Sequence, residues 1–366
     1  MKFRIKKFVL EALLNKASAV LLSKGDFMPI LKNFHIKADK DIEIIATDLE
    51  LSIRASSDLI EIESSGKAIF PGKTLKEIIN GCEDDIVLIS VADDKALIKC
   101  AGAEWSIHLM NPDDYPEIPK IESCTKIDVP RLALISALLK VKGAAAKESV
   151  RPALQMINVV KGSVMASDGA IFRQVKLEAL KDISLQFPVG AVEDLIKMLK
   201  NTETENIGIG ETEDHILVFS GIDCFLITKN NVDYPDVEAL LVEPARKNKY
   251  KLTVDKAAFR AGIMRVRITA DENTKGILVA LKKNSLILRA KDRYGNMATE
   301  VIDVSWSHPD RTIGVNHEHI LGAISCIDNP SLEILLGDDK KTRKAPLLFE
   351  HDNNLAIINQ LQIDFD

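Results

Sequence analysis

Three stretches of the chain read as variants of one another: IIATDLELSI (Ile44–Ile53), VMASDGAIFRQV (Val164–Val175) and LRAKDRYGNMATEV (Leu288–Val301). Each alternates apolar and polar residues, breaks at a turn carrying an aspartate, and resumes the alternation. That is the pattern of two antiparallel strands buried on one side and joined by a short turn. The turn aspartates Asp48, Asp168 and Asp292 are 120 and 124 residues apart. A strand running into a helix keeps a similar spacing, in AIFPGKTLKEII from Ala68, QFPVGAVEDLIKML from Gln186 and TIGVNHEHILGAI from Thr312, with Phe70, Phe187 and Ile313 separated by 117 and 126 residues. An amphipathic helix after a short strand recurs at Phe3 to Val20, Ile127 to Ala145 and Tyr250 to Thr269. A period shared by three landmarks marks internal repetition. The 366 residues, too many for one ordinary core, are therefore read as three domains of one fold, 1–122, 123–244 and 245–366.

Within a unit the apolar period changes from helical to extended. Leu10, Leu13, Leu14, Ala17, Val20 and Leu21 make one stripe at helical spacing and leave Lys7, Glu11, Asn15 and Lys16 outside it. Asp41-Ile42-Glu43-Ile44 and Lys32 to Lys37 alternate as strands do. The expected fold class is α+β, with each unit two helices packed on about eight short antiparallel strands. Helices are expected over 6–24, 73–80, 130–147, 189–200, 255–267 and 316–326, with Asp128, Asp255 and Asn316 at or near their N-caps.

The composition, 46% hydrophobic and 28% charged, is that of a globular chain. Cys82, Cys100, Cys124, Cys224 and Cys326 are scattered, with no CxxC pair and no histidine at ligand spacing, which fits a reduced, cytoplasmic protein. Lys2, Arg4, Lys6 and Lys7 ahead of an apolar stretch imitate a secretory leader, but Glu11, Asn15 and Lys16 interrupt the stretch. No run approaches the ~18 apolar residues of a membrane span, so no membrane partner is expected.

A net charge of -6 argues at first against nucleic acid. Its distribution argues the other way. The six expected helices hold sixteen Lys or Arg and six acids, a net +10 that leaves -16 for everything else. Solvated helix faces explain any one helix; the whole set fits a basic helical surface and an acidic sheet surface. Without aromatic residues to stack on bases, such a surface suits the phosphates of a duplex. Contact of that kind is weak and salt-sensitive, so lasting attachment would have to come from enclosure.

The opening MKF, PILKNFHIKA (Pro29–Ala38), ATDLEL (Ala46–Leu51), FPGKTLKEIING (Phe70–Gly81), NPDDYPEIP (Asn111–Pro119), VRPALQ (Val150–Gln155), ASDGAIFR (Ala166–Arg173) and DYPD (Asp233–Asp236) together resemble the β subunit of bacterial DNA polymerase III, in order and over essentially the whole chain. The resemblance implies a sliding clamp: a head-to-tail homodimer of six pseudo-equivalent domains that forms a ring, with helices lining the hole and sheets outside. It implies sequence-independent contact with double-stranded DNA through Lys24, Lys73 and the loop Lys147 to Arg151. Other basic residues on the same helices, Lys76, Lys140, Lys142, Lys197, Lys200, Arg260 and Arg265, join that set. Gly190 stands where the family usually has a lysine. One subunit edge is implied at Trp105 and Ile107 and the other at Ile263 and Met264; ordinary core is the competing reading for all four.

The resemblance further implies a pocket that captures short linear motifs of the polymerase, the clamp loader and repair proteins. Its positions here are Leu154, Ser167, Gly169, Phe172, Pro235, Leu240, Ile357 and Ile358. The family's His-Arg after the Asp-Gly is Ala170-Ile171, and an Arg after the Tyr-Pro is Ala239, which makes the pocket more apolar and less basic. The tail from Asn359 to Asp366 is read as an edge strand with Leu361, Ile363 and Phe365 on one side. It also resembles the glutamine-leucine motif that partners insert, so occupancy of the pocket by the tail is a second reading.

Enzyme readings are weaker. There is no Walker A loop, and Gly208-Ile209-Gly210 lacks the remainder of a dinucleotide fingerprint. His317 and His319, two apart on a helix, do not share a face and are read as surface residues. The acid pairs Asp84-Asp85, Asp93-Asp94, Asp113-Asp114 and Asp338-Asp339 sit in turn contexts; a metal-dependent nuclease would need them to converge. No metal, cofactor or catalytic residue is assigned. A clamp-like scaffold that does not enclose DNA is the other alternative.

Overall fold

The computed structural model describes residues 1–21, 28–83, 85–117, 121, 124–230, 232–338, 345–352 and 354–363. One element order occurs three times, with a single extra strand, β5, in the first passage. The first passage is β1 (Lys2–Lys6), α1 (Lys7–Ala17), β2 (Asn33–Ala38), β3 (Ile42–Thr47), β4 (Leu51–Ser57), β5 (Ile60–Ser64), β6 (Gly66–Pro71), α2 (Gly72–Asn80), β7 (Ile86–Ala92), β8 (Lys95–Cys100) and β9 (Ala103–His108). The second is β10 (Lys126–Pro130), α3 (Arg131–Val141), β11 (Met156–Val160), β12 (Ser163–Ser167), β13 (Ile171–Lys176), β14 (Leu185–Pro188), α4 (Val189–Lys200), β15 (Asn206–Glu211), β16 (His215–Ser220) and β17 (Asp223–Thr228). A π-helical turn, Glu238–Val242, runs into the short α5 (Glu243–Arg246). The third passage is β18 (Tyr250–Asp255), α6 (Lys256–Val266), β19 (Gly276–Lys282), β20 (Ser285–Lys291), β21 (Met297–Asp303), β22 (Arg311–Asn316), α7 (His317–Cys326), β23 (Ser331–Leu336), β24 (Leu347–His351) and β25 (Asn354–Ile358). The chain is α+β, and every strand pairing is antiparallel.

In each repeat the first strand pairs into the last three and the middle strands form a second sheet, except that β5 of repeat one joins the first sheet beside β1. Across a repeat boundary the two kinds of sheet merge. The fourth strand of repeat one, β4, pairs with β17 of repeat two, giving the eight-stranded order β10-β15-β16-β17-β4-β3-β2-β6. β13 of repeat two pairs in the same way with β25 of repeat three, giving β14-β11-β12-β13-β25-β24-β23-β18. The compact units of the chain follow these shared sheets rather than the repeats: one is Met1–Ile135 with Gly190–Asn230, the other Ser136–Val189 with Asn231–Asp366.

The expected helices are present with local corrections. α1 stops at Ala17, short of residue 24, because Ser18 ends it: its Oγ donates to Leu14 O at 2.5 Å, and the next N–H groups, of Ala19 and Val20, tighten to three-residue bonds. Asp255 and Asn316 do cap α6 and α7, accepting from Ala258 N and from Glu318 N and His319 N. Asp128 does not cap α3; it lies in β10 opposite Gly208. The residue of repeat three equivalent to Phe70 and Phe187, two before the helix, is Val315 and not Ile313. The five cysteines are free, four of them buried. Among the described residues no helix is long and apolar enough to cross a membrane.

Candidate functional site

The turn at Ser167–Ile171 is built by two side chains. Asp168 Oδ1 accepts from Ala170 N at 2.8 Å and Ile171 N at 2.9 Å. Ser167 Oγ accepts from Gly169 N at 3.1 Å and donates to Ile171 O at 2.7 Å. This local bonding is what Asp and Ser favour in turns. Gly169 adopts φ +92°, a region open to glycine and strained for other residues. It presents bare backbone beside Leu154, whose Cδ1 would stand 3.9 Å from a Cβ there. Asn359, just beyond β25, fastens the turn from the other side: its N–H donates to Ala170 O at 3.0 Å and its Nδ2 to Gly169 O at 3.3 Å.

The eight residues expected at this pocket divide into floor and rim. Ser167, Phe172, Ile357 and Ile358 are buried, and Phe172 and Ile357, cross-strand partners, share an apolar cluster with Val237, Val242, Ala245, Leu348 and Leu355. Phe172 and Ile357 support the site from beneath, while Ile358, paired with Ile171, faces the other side of the sheet. Leu154 is half-buried, while Gly169, Pro235 and Leu240 are exposed. Leu240 is 62% exposed although its neighbours Val237 and Val242 are buried; the π-helical turn is what rotates it outward.

Two residues here escaped the sequence reading. Arg246 binds Glu350 through Nε and Nη2 (2.6 Å at closest) and Glu238 through Nη1 at 2.7 Å, pinning α5 to β24. Arg173 is buried on the opposite side of β13 from Phe172, donating to Lys140 O at 3.3 Å, and burial holds its pKa below the ordinary arginine value. The bidentate pair unites residues 104 apart in the chain, and the buried arginine stands beside the polar Gln174 in β13, where it reads like any solvent-facing residue; neither leaves a signal in local spacing.

Many cations of the expected DNA-facing set already have partners. Lys140 pairs with Asp328 at 2.5 Å, Lys197 with Asp194 at 2.7 Å, Lys73 with Glu77 at 3.8 Å, and Arg265 with Glu300 on β21 at 2.5 Å. Lys7 and Arg131, counted among the helix charges, donate to backbone carbonyls, and Lys16 pairs with Asp223. Lys142 also has a partner. Lys147, Arg151, Lys200 and Arg260 are exposed and Lys76 half-exposed, with no ion pair among the described residues. α3 turns Leu132, Ser136 and Leu139 outward, and α1 turns out Phe8, Ala12 and Asn15. The helix charge is thus less free than the totals suggested, because Lys140 and Arg265 pair with acids outside the counted helices, Asp328 and Glu300, while Lys197 and Lys73 pair within their own helices. Lys24 lies outside the described residues.

Among the expected edge residues, Trp105 and Ile107 on β9 and Met264 on α6 are half-buried. Ile263 is corrected: at 0% exposure it belongs to the core of its own repeat and has no surface to offer. The exposed apolar residues on that side are Ile268, Met297 and Val301. His317 is corrected as well. It is buried, with Nδ1 unpartnered, because its N–H bonds Lys275 O and draws the first turn of α7 inward; burial lowers the pKa of His317 and of His319. Among the described residues no group of three His, Cys, Asp or Glu is placed to hold a metal.

The chain matches the family models for the N-terminal domain of the DNA polymerase III beta subunit over residues 1–119 and for its C-terminal domain over residues 244–356. It is 24% identical to the beta sliding clamp of Buchnera aphidicola subsp. Rhopalosiphum padi, covering 97% of both chains. Among solved structures it resembles the DNA polymerase III subunit beta of Pseudomonas aeruginosa (TM-score 0.90, 21% identity, 99% of this chain and 100% of that one). It also resembles the Pseudomonas aeruginosa sliding clamp bound to griselimycin (TM-score 0.86, 20% identity, with the same coverage).

Proposed function

The chain belongs to the DNA polymerase III beta subunit family, and on that premise we propose that it is a sliding clamp, a processivity factor that closes with a second copy into a ring around duplex DNA and tethers a DNA polymerase there. The observation that carries this reading is the rule by which the repeats join. β4 of repeat one takes β17 of repeat two, and β13 of repeat two takes β25 of repeat three. By the same rule β21 of repeat three requires the last strand of a further repeat, and β9 of repeat one is such a strand. Each is a sheet edge without a partner among the described residues. An unpaired edge invites strand addition, and a head-to-tail contact whose rotation closes gives a ring. Trp105, Ile107, Met264, Met297 and Val301 would line that contact, and the three domains would divide near residues 122 and 244.

Lys76, Lys147, Arg151, Lys200 and Arg260 would supply weak phosphate contacts, each exchanging a bound counterion. Enclosure makes weak contact sufficient, since a closed ring leaves DNA only by opening or by sliding off an end. Leu154, Gly169, Pro235 and Leu240 would receive apolar anchors of an extended peptide from the polymerase, the clamp loader or repair proteins. We assign the protein a tethering role in the cytoplasm and no catalytic step of its own.

Retention on circular DNA with loss after linearisation is the expected result, with a dimer mass by light scattering. Equal retention on both forms would indicate a scaffold that does not enclose DNA. In the same assay Lys200→Ala should lower the slope of log affinity against log salt by about one.

A further inference from the structure

The last described residues, Asn359 to Ile363, join two places. At one end Asn359 holds the Gly169–Ala170 turn. At the other, Leu361 N–H bonds Gly314 O at 2.8 Å, a bridge on the outer edge of β22, and the Ile363 side chain lies over Gly276 and Gly314. Between them Gln360 Nε2 donates to Ala345 O at 2.7 Å. The two glycines are not needed for positive φ; what they supply is the missing side chain. A Cβ on Gly314 would stand 2.6 Å from Leu361 O and 2.9 Å from Ile363, and one on Gly276 would stand 2.7 Å from Ile363. Glycine inside a strand is unfavourable unless another backbone comes close, and here one does. The tail is therefore held in a cradle on repeat three, where Leu361 makes a single antiparallel bridge at the edge of β22, closer to the edge-strand reading than to the second reading in which it fills the pocket; Phe365 lies outside the described residues.

We propose that this docked tail is a positioning strap for the peptide pocket, a reading that rests on the pocket assigned above. Leu361 and Ile363, held in the cradle of Gly276 and Gly314, fix Asn359, and Asn359 fixes the Gly169–Ala170 rim before any partner arrives. A rim already ordered spares the bound peptide that ordering cost. Docking also occupies the apolar side chain of Ile363 against Gly276 and Gly314, away from the Gly169 turn that Asn359 holds.

The test uses the full-length protein and griselimycin as probe, with Leu154→Asp as the control that places the probe in the pocket. Gly314→Val and a chain ending at Asn359 should each bind griselimycin ~5-fold or more weakly, while Leu59→Ser, at an exposed residue of repeat one, stays near wild type. Amide exchange at Ala170 and Ile171 should quicken in the first two. Truncation folds independently of any clash at Gly314, so it guards against a misfolded variant. Unchanged affinity and exchange in the truncated chain would overturn the strap. Tighter binding would overturn it too, by making the tail a competitor. Failure of the wild type to bind griselimycin, or binding indifferent to Leu154→Asp, would remove the pocket reading instead, and the strap with it.

Discussion

The junction of repeats one and two and the junction of repeats two and three use the same bonds to make different surfaces. Asp48 Oδ1 accepts from Glu50 N and Leu51 N as Asp168 Oδ1 does from Ala170 N and Ile171 N. Thr47 Oγ1 donates to Leu51 O and accepts from Leu49 N, as Ser167 Oγ does in its own turn. Thr228 bonds Leu49 O and Glu50 O where Asn359 bonds Gly169 O and Ala170 O. Yet the residue after the aspartate is Gly169 at φ +92° in one turn and Leu49 at φ +79°, 52% exposed, in the other. The strand beyond carries buried Phe172 in one and buried Ser52 in the other. The framework is set by short polar side chains; whether it becomes an apolar pocket is set by what stands on it.

The largest effect expected from this contrast is on the floor. Phe172→Ala removes a fully buried ring from the cluster around Val242 and Ile357 and should cost about 3–5 kcal/mol, whereas Ser52→Ala, which removes one hydroxyl bond to Thr47, should cost about 1 kcal/mol. Urea unfolding of the two variants decides it, and equal losses would end the distinction between the junctions.

Acid should separate them next. His35 of β2 occupies the strand position that Asn158 holds in β11, and burial, with Lys67, Lys37 and Arg54 nearby, lowers its pKa from 6.5 to about 4. A depressed pKa means stability that is complete above pH 6.5 and is lost as pH falls toward 4, on the order of 2–3 kcal/mol at pH 4. The sheet of repeat one should loosen first on acidification, seen by amide exchange, and His35→Gln should flatten that dependence.

Smaller effects test the turns. Asp48→Ala and Asp168→Ala each lose two N–H···O bonds, at about 1–2 kcal/mol, but only Asp168→Ala should also weaken binding of a ligand of the proposed peptide pocket, measured by calorimetry. Smallest is the pair at the strained position. Leu49→Gly should raise stability by about 1 kcal/mol through relief of positive-φ strain, and Gly169→Leu should lower it by a similar amount while covering the rim; a thermal melt reads both.

The Asp48, Asp168 and Asp292 turns and the helix-entry segments were legible because each depends on bonds within a few residues, so spacing alone revealed the threefold repetition and the α+β layers. The third helix entry was misplaced by two residues, Ile313 for Val315, because both are β-branched apolar residues on the same face of β22 and neither is followed by a proline as in Phe70-Pro71 or Phe187-Pro188. The buried floor residues Phe172 and Ile357 could be named but not distinguished from rim residues. Arg265 and Lys140 could be counted as charges but not seen to be spoken for by Glu300 and Asp328.

The sequence by itself determined the number of repeats, the helices and strands within each, and the polar turns at their junctions, because these follow from periodicity and short-range hydrogen bonding. Only the tertiary structure decided which strands cross from repeat to repeat, that Ile263 and His317 lie inside, that several basic residues are neutralised by distant acids, and that the tail rests on Gly276 and Gly314. Those outcomes depend on groups far apart in the chain coming within a few ångströms of one another, and no local pattern of residues encodes that distance.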